Sequence, residues 1–589
     1  EGGMLVHADR LRNGQGLYVA PTADFVPYIY PPLYPWVLSI LGEPSYAAGR
    51  WLSILGTLAA MAASVAALRQ ERVVWAIALV PPLLYATCYD DAGAFFDLVR
   101  SDSVALGFAA WSIVLVRRGA GNAPLWGGAL LILAYMSKHN YAVLGVPMAL
   151  WLWRFHGRRQ ALRFVAFTAG IALLWTGWMV YSTDGLFWTY LVEVPNTHPK
   201  VADRAWPAIQ DEIAASMSLF VFAAAIGLLA ACTQRIVKDW EAVAYWLGIA
   251  LVIFPFCALM RAHHGGFNNV LMPGFWLLAV LCCLILGGCV RNAIPRVQGA
   301  MALAVTLLLT MHAKDPKTLW EKERYVPTVE DRRSGERLVE FIRAQEGEVF
   351  MPQFAWYPAL AGKKPSMPLI ALWDISDHKE GPLRDEIRPL VREAMESKRW
   401  SMVITGRRNG MTRGPRDPYA FNKAYGVDNS QRLPIGRKGL RPKSGWRIWP
   451  TTVWVPKLVE TPTPDDSIDV DEPVLFEEAS THLVREAVVV LEGIYAELEE
   501  HPEVVLRVEG HTNDTGSSRY NYRLAMKRAK VVVDWLEARG IDRERLTFEG
   551  YGFDRPAVPH THPDANKVNR RVVFTTVDPD TLPVDSKEL

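Results

Sequence analysis

The sequence predicts three parts in series: a polytopic α-helical membrane domain, a soluble α/β domain and a C-terminal two-layer α/β domain. Charge supports the first division, because Asp, Glu, Lys and Arg make up 36 of the first 312 residues but 88 of the remaining 277. Soluble domains average about 25% charged residues, so the first part is unusually poor in charge. Recurrent apolar segments in that part, and alternating strand and helix patterns near the C-terminus, support the rest. The net charge of +2 excludes a nucleic-acid partner attracted by overall basicity.

The apolar part (1–313) contains about ten segments suited to membrane-spanning helices, which need about 20 mostly apolar residues. They lie near 46–68, 73–89, 102–116, 124–137, 139–153, 164–182, 216–233, 242–260, 270–290 and 297–313. If 124–153 crosses the membrane twice, arginine and lysine are concentrated in every second loop. Cytoplasmic loops typically carry such an excess of positive charge. This pattern predicts a multi-pass protein of a bacterial inner (cytoplasmic) membrane, with residues 1–45 and the chain after 313 in the periplasm.

The ends of this part and its cysteines give two smaller expectations. The chain starts at Glu1 rather than Met, so we expect a first helix upstream of it. All six cysteines lie before residue 290, without the Cys/His spacing of a zinc site, so we expect them to pack as small apolar side chains and no metal to be bound there.

Two predicted outer loops carry distinctive residues. The first contains RLRNGQGLY at 10–18 and PPLYP at 31–35. The second is acidic and contains Asp90, Asp91, Asp97 and Asp102. In this order the features resemble the GT-C superfamily of integral-membrane glycosyltransferases over about 1–456. The resemblance implies transfer of a sugar, with inversion, from a polyprenyl-phosphate donor to a periplasmic acceptor, and a general base in the first loop.

The resemblance and the chemistry together indicate two sets of candidate residues. In such a sugar transfer, a carboxylate deprotonates the acceptor, and cations bind the phosphate of the donor as negative charge develops on it. The catalytic candidates are Glu1, which matches the first-loop acid, and Asp24, Asp97 and Asp102. The candidates for the donor phosphate are Arg100, Lys138, Arg261 and His264. The expected partners are a lipid-linked sugar donor and membrane lipid, with no nucleic acid. A divalent cation stays open as a cofactor.

These residues also have structural interpretations, and the membrane part has other possible functions. Asp97 or Asp102 is equally suited to capping a helix or pairing with Arg100, and Lys138 to snorkelling toward the membrane surface. A transporter or flippase, or a non-catalytic envelope tether, would also have ten helices. Transporters show internal repeats and mid-membrane ionisable groups, whereas this sequence has no repeat and few mid-span charges, which favours the transferase.

Residues 314–456 predict a periplasmic α/β domain. Ser334 is a candidate cap of a helix whose Leu338, Phe341 and Ile342 share one face. The remaining predicted elements are strands at 348–351 and 401–405, a helix at 386–395, a basic loop at 406–443, and a strand pair at 444–457 that its prolines confine to a sheet edge.

The acidic stretch ETPTPDDSIDVDEP (460–473) predicts a linker, placed at 457–471, ahead of a domain at 472–589. In that domain, strand signals alternate with helix signals in a β–α–β–α–β order, which predicts helices packed on a sheet. The strands are expected at 473–476, 503–509, 545–549 and 571–577, and the helices near 481–500 and 519–539.

One stretch of this domain matches a known pattern at many fixed offsets. The matching residues are Thr512, Gly516, Asn521, Leu524, Arg528, Ala529, Val532, Gly540–Ile541, Arg545–Leu546, Gly550–Tyr551–Gly552, Pro556 and Asn569–Arg570–Arg571. They resemble the OmpA-like peptidoglycan-binding domain. The resemblance implies that peptidoglycan binds through its diaminopimelate stem peptide. The candidate contacts are Thr512, Asn513, Asp514, Gly516, Asn521, Arg528, Asn569 and Arg571.

The residues themselves are consistent with that role. Asn521, Arg528 and Val532 fall on one helix face, from which Arg528 can point toward the loop at the helix start. Free N–H groups at a helix start attract anions, and an arginine there binds a carboxylate bidentately. In the family an Asp binds the ammonium group, but here the position holds Asn513, with the acid at Asp514. Either Asp514 turns toward the ammonium group, or the cationic half of the ligand is bound less strongly than in the family.

Overall fold

The structure, a computed structural model, describes most of the chain. It covers residues 1–233, 239–263, 265–290, 293–313, 325–376, 381–406, 411–412, 417–428, 433–435, 440, 448–457, 474–475, 485–502, 504–515, 518–554 and 569–577. The chain divides into two compact units, Glu1–Lys457 and Leu458–Leu589.

The first unit begins with a bundle of apolar helices, and each of the ten predicted segments contains one. The main helices are Tyr46–Gln70, Trp75–Ala78, Val80–Thr87, Asp102–Arg117, Ala123–Ser137, Gly145–His156, Arg158–Ser182, Ser218–Thr233, Trp240–Ala262, Met272–Val290 and Pro295–Ala313. Within the described residues, six helical stretches are long and apolar enough to cross a membrane by length and composition: Tyr46–Gln70, Arg158–Ser182, Ala202–Leu229, Trp240–Ala262, Asn268–Val290 and Pro295–Ala313.

The segment 124–153 is interrupted, as the alternation of loop charge requires. The first helix ends at Ser137, and Lys138 is extended, with φ −156° and ψ 102°. A 3-10 turn at His139–Leu144 then leads into the helix Gly145–His156. An extended residue cannot continue the helical hydrogen-bond ladder, so this segment forms two helices rather than one.

The first loop (1–45) is more regular than the sequence indicates, since it contains the helices Gly2–Arg12 and Leu33–Ile40. The first of these buries Met4, Leu5 and Val6 in a core that it shares with the α/β segment. Its stability therefore comes from contacts with residues distant in sequence, which local periodicity does not reveal.

The α/β segment follows the bundle within the same unit. Its sheet has the order β1–β2–β4–β3, with β1 and β2 parallel and the other pairs antiparallel. The strands are β1 (Val349–Phe350), β2 (Met402–Thr405), β3 (Tyr425–Val427) and β4 (Thr452–Pro456). The helices are Val329–Ala344, Tyr357–Leu360, Leu369–Ser376, Arg384–Glu396 and Phe421–Ala424.

Two predictions for this segment are wrong. The closing strand β4 is interior, because its prolines flank the ladder: Pro450 precedes the strand and Pro456 is its last residue, so Val453–Val455 keep their N–H groups. Its partner β3 lies in the stretch 406–443, which the sequence predicts to be a loop. Residues 441–447, which include the start of the predicted pair, lie outside the described residues.

The helix Val329–Ala344 starts earlier than predicted. Thr328 caps it, and the Thr328 and Asp331 side chains bond each other's backbone N–H groups in a capping box. Ser334 is buried inside the helix, so its predicted role as the cap is wrong. Leu338 and Ile342 are fully buried on one face, as the spacing predicts.

The second unit has a four-stranded sheet of order β5–β8–β6–β7, in which β6 and β7 are parallel. The strands are β5 (Val474–Leu475), β6 (Val505–His511), β7 (Leu546–Gly552) and β8 (Arg571–Val577). The helices Arg485–Glu500 and Ser518–Glu537 share one apolar core with the sheet. The predicted strand and helix order agrees with this architecture.

Two glycines let the second of these helices, the arginine helix (Ser518–Glu537), lie close to the sheet. Gly510 and Gly550 are neighbours across the β6–β7 pair. A Cβ on Gly510 would lie 2.1 Å from the carbonyl oxygen of Ala525, and one on Gly550 would lie 2.5 Å from the backbone nitrogen of Met526. The helix therefore passes over the carboxyl ends of both strands at backbone contact distance.

We expect Gly510→Ala to lower the free energy of unfolding of the second unit by at least about 2 kcal/mol, because the helix must move off the sheet. Gly493→Ala is the matched control, since nothing lies within 4 Å of its Cβ position and alanine favours a helix by about 0.5–1 kcal/mol. Hydrogen exchange of the β6 amides measures both. Equal protection in the two variants would contradict this packing.

Candidate functional site

A cavity of about 1570 Å³ lies in the first unit, between one end of the helix bundle, the first loop and the α/β segment. Of the predicted catalytic and phosphate-binding residues, it brings together Glu1, Arg100, Lys138 and Arg261. Asp24, Asp97 and Asp102 do not line it, and His264 lies outside the described residues. Basic side chains that the sequence prediction missed also line it: Arg50, Lys200, Arg204 and Arg332.

One buried carboxylate positions two of the predicted cations. Asp102 accepts from Lys138 Nζ at 2.6 Å and from Arg100 Nε at 3.2 Å, and its Oδ1 also accepts from Asn269 Nδ2 at 2.8 Å. The Asp102 side chain is 4% exposed. It is the first residue of its helix, where the helix dipole favours a negative charge. Asp102 therefore orients Arg100 and Lys138 toward the cavity, as the salt-bridge alternative proposed.

A second ion-pair cluster joins the start of the chain to the bundle. Arg50 binds Glu1 bidentately, with both N–O distances at 2.9 Å, and bonds Asp97 Oδ2 at 3.2 Å. The Val99 N–H also donates to Glu1, and the Tyr89 hydroxyl donates to Asp97 at 2.8 Å. Both carboxylates thus have their oxygens occupied by donors.

The third predicted cation has its own partners. Arg261 Nε lies 3.0 Å from Glu212 Oε2, and its Nη1 donates to the Gly266 carbonyl at 2.9 Å. Nearby, His198 and His263 have ring centroids 4.7 Å apart, and both line the cavity. These groups place further positive or titratable side chains on the wall next to Arg261.

Asp24 has a structural role apart from the cavity. It pairs with Lys364 at 2.9 Å and with Arg399 at 2.7 Å, both on the α/β segment. The predicted catalytic role is therefore not supported by position, since this carboxylate ties the first loop to the α/β segment.

Among the described residues, the α/β segment contributes two acidic side chains to the cavity, Asp331 and Asp374. Asp374 lies on the helix Leu369–Ser376, and its backbone carbonyl accepts from His198 Nε2 at 2.8 Å. Burial raises the pKa of the Asp374 carboxyl to about 7, opposed by the charge of Arg100. Sequence reasoning missed Asp374 because nothing in the sequence of this short helix indicates that it faces a cavity next to the helix bundle. Among the described residues, no cluster of three or more His, Cys, Asp or Glu is arranged to hold a metal ion.

In the second unit, the loop before the arginine helix is tied to both the helix and the sheet. The Thr512 N–H donates to the Gly552 carbonyl at 2.8 Å. Asn521 Nδ2 donates to the Thr515 carbonyl at 3.0 Å, and Asn513 Nδ2 to the Thr515 hydroxyl at 3.1 Å. These contacts tie the buried Asn513 and Asn521 side chains to Thr515 in the loop that follows β6.

The predicted ligand-binding arginine lies on the arginine helix and is buried. Arg528 is fully buried, as are Asn521 and Asn569. Burial and the nearby charge of Arg570 lower the pKa of Arg528 to about 10, so it is charged at neutral pH. Burial also lowers the pKa of Arg571. Such a concentration of guanidinium groups favours a carboxylate ligand.

The predicted contacts of the loop differ in exposure. Asp514 is exposed, whereas Asn513 occupies the buried position. Gly516 lies outside the described residues. Within the described part of the unit, the buried Thr512 hydroxyl makes no hydrogen bond, which leaves it available to a ligand.

The fold and this site define a two-layer α/β domain with a buried arginine on the helix that follows the loop after β6. Residues 475–570 match the model of the OmpA family, so the chain carries a C-terminal OmpA-family domain. The chain is 30% identical over 100 residues to the peptidoglycan-binding protein ArfA of Mycobacterium tuberculosis, covering 17% of this chain and 31% of that protein. It is 37% identical over 78 residues to the peptidoglycan-associated lipoprotein of Legionella pneumophila, covering 13% and 44%.

Among solved structures, the C-terminal domain of Helicobacter pylori MotB is 29% identical, with 18% of this chain and 84% of that chain covered and a TM-score of 0.17. The chain spans less than half the length of the curated relatives above.

Proposed function

We propose that this chain is an inner-membrane envelope protein whose helical unit transfers a sugar from a polyprenyl-phosphate donor and whose C-terminal unit binds peptidoglycan in the periplasm. The wall-binding part is supported by the OmpA-family match and by relatives whose names describe peptidoglycan binding or association. The buried Arg528 supplies the carboxylate-binding group for a diaminopimelate stem peptide, and the buried Thr512 hydroxyl of the same unit is a second candidate contact.

The observation that carries the transferase proposal is the pair of cations fixed by Asp102 at the cavity wall. A polyprenyl-phosphate sugar has a phosphodiester that becomes a more highly charged phosphate monoester when the sugar leaves. Arg100 and Lys138 are held in place before the ligand arrives, so they stabilise this charge without reorganisation. Apolar side chains such as Phe95, Met260 and Phe267 line the same cavity and suit the prenyl chain.

The position of these charges favours a transferase over a transporter or flippase. Arg50 and Asp102 lie at the starts of their helices, whereas Lys138 and Arg261 lie at or beside the ends of theirs. All four therefore belong to one end of the bundle, while transporters bind substrate near mid-membrane. The OmpA-like unit then places a surface-facing enzyme next to the wall, whereas a purely structural tether needs no cationic cavity.

We expect the full chain in lipid nanodiscs to bind undecaprenyl phosphate but not undecaprenol, which lacks the charge. The double variant Arg100→Gln/Lys138→Gln should bind at least about 100-fold more weakly, because two charge-assisted contacts are lost. Arg296→Gln is the control, since this exposed arginine lies at the start of the last bundle helix and does not line the cavity. Equal affinity for the phosphate and the alcohol would contradict a phosphate site.

A further inference from the structure

The carboxylates that line the cavity differ in whether their oxygens already accept hydrogen bonds from other protein groups. Among the described residues, three acidic side chains line it: Glu1, Asp331 and Asp374. Glu1 accepts two bonds from Arg50 and one from a backbone N–H. Asp331 caps its own helix by accepting from the Thr328 N–H and hydroxyl.

Asp374 is in a different situation. No hydrogen bond or ion pair occupies its side chain among the described residues, and it is only half-buried at the cavity wall. The titratable groups around it are Arg100 of the second loop, Tyr28 of the first loop and His198, which contacts its backbone carbonyl. Arg100 is thus the cation next to the Asp374 carboxyl.

We propose that Asp374 is the catalytic base that takes the proton of the acceptor in the sugar transfer, so that the α/β segment completes the active site. This inference rests on the proposed transferase function and departs from the expectation of a first-loop base. A carboxylate bound to a guanidinium on both oxygens, as Glu1 is, has little basicity left, whereas Asp374 is open to the cavity.

The step balances as a single displacement. The acceptor O–H gives its proton to the Asp374 carboxylate, and the acceptor oxygen forms a bond to the anomeric carbon. The bond between that carbon and the phosphate oxygen breaks, and its electron pair leaves with undecaprenyl phosphate. Arg100 and Lys138 bind the charge that develops on this phosphate.

The proposal predicts a pH dependence with a definite sign. Because burial raises the pKa of Asp374 to about 7, the carboxyl is protonated and inactive below that pH. The rate of transfer should therefore rise tenfold per pH unit up to about pH 7 and reach a plateau above it.

The test uses the full chain in nanodiscs, with undecaprenyl phosphate linked to mannose, glucose, galactose or aminoarabinose as donors and a bacterial envelope extract as acceptor. Asp374→Asn should lose about 10²- to 10⁴-fold in kcat and the acidic limb of the pH profile, while binding undecaprenyl phosphate as the unchanged chain does. Asp374→Glu should restore part of the rate. Asp385→Asn is the matched control, since Asp385 is 91% exposed on the same segment and lies outside the cavity.

Turnover that is unchanged in Asp374→Asn would overturn the role of Asp374 and leave the transferase intact. Loss of undecaprenyl phosphate binding in Asp374→Asn would show that the residue holds the donor site together, which also overturns a role as base. A chain that neither binds undecaprenyl phosphate nor releases it from any donor would overturn the proposed function and this inference with it.

Discussion

Asp102→Asn is expected to lower the free energy of unfolding of the first unit by about 3–5 kcal/mol and to abolish binding of undecaprenyl phosphate. The substitution leaves Lys138 and Arg100 in a largely buried site without the carboxylate that compensates them, and removing one partner of a buried ion pair has a cost of this size. The two cations also repel each other once Asp102 is neutral, so neither keeps its position at the cavity wall.

Thermal unfolding in detergent and equilibrium binding in nanodiscs measure the two effects of Asp102→Asn. Adding Lys138→Met should recover part of the lost stability, because the Arg100 guanidinium then has no neighbouring ammonium to repel it. Binding of undecaprenyl phosphate should stay weak. Asp184→Asn is the control, since Asp184 is exposed in a turn with φ +48°, which asparagine tolerates. Wild-type stability and binding in Asp102→Asn would show that the carboxylate does not organise the site.

The second large effect is expected at the wall-binding unit. Arg528→Ala should weaken co-sedimentation of the full chain with diaminopimelate-type peptidoglycan by roughly 30- to 1000-fold, since truncating a buried charged partner costs about 2–4 kcal/mol. Arg528→Lys should also bind weakly, because an ammonium cannot form the two parallel bonds of a guanidinium. Arg523→Ala is the control, an exposed arginine on the same helix.

Asn513 occupies a position where the family has Asp, so restoring the acid should strengthen binding of the ligand. Asn513→Asp supplies a negative charge for the ammonium of diaminopimelate, and we expect about tenfold tighter binding because charged hydrogen bonds are roughly twice as strong as neutral ones. If neither Arg528→Ala nor Asn513→Asp changes co-sedimentation, this OmpA-family domain does not use the arginine site for the wall.

The parts of the structure that the sequence predicts are those controlled by local pattern. Hydropathy locates the ten helical segments, and fixed spacings locate the arginine helix and its loop. Helix-end position identifies Arg100, Lys138 and Arg261, because charged residues at membrane boundaries are costly without a role. Arg50 could have been found by the same argument, since it lies in the first turns of the helix Tyr46–Gln70.

The features that escape prediction depend on contacts between distant residues. Nothing in the sequence near Asp102 indicates that Asn269 and Lys138 converge on it. Asp374 lies in a short helix whose exposure to the cavity follows from how the α/β segment packs on the bundle. The cap at Thr328 differs in kind, because a complete capping box outcompetes a single serine six residues later.

Reconstitution in liposomes tests the central claim most directly. The full chain is incorporated with an undecaprenyl-phosphate sugar labelled in the sugar, and the label is followed both chemically and across the bilayer. We predict that undecaprenyl phosphate is released and that the sugar leaves the lipid for an acceptor from the envelope extract. A donor that stays intact but changes leaflet would establish a flippase, and a donor that is neither cleaved nor moved would establish a tether; either result would contradict the transferase.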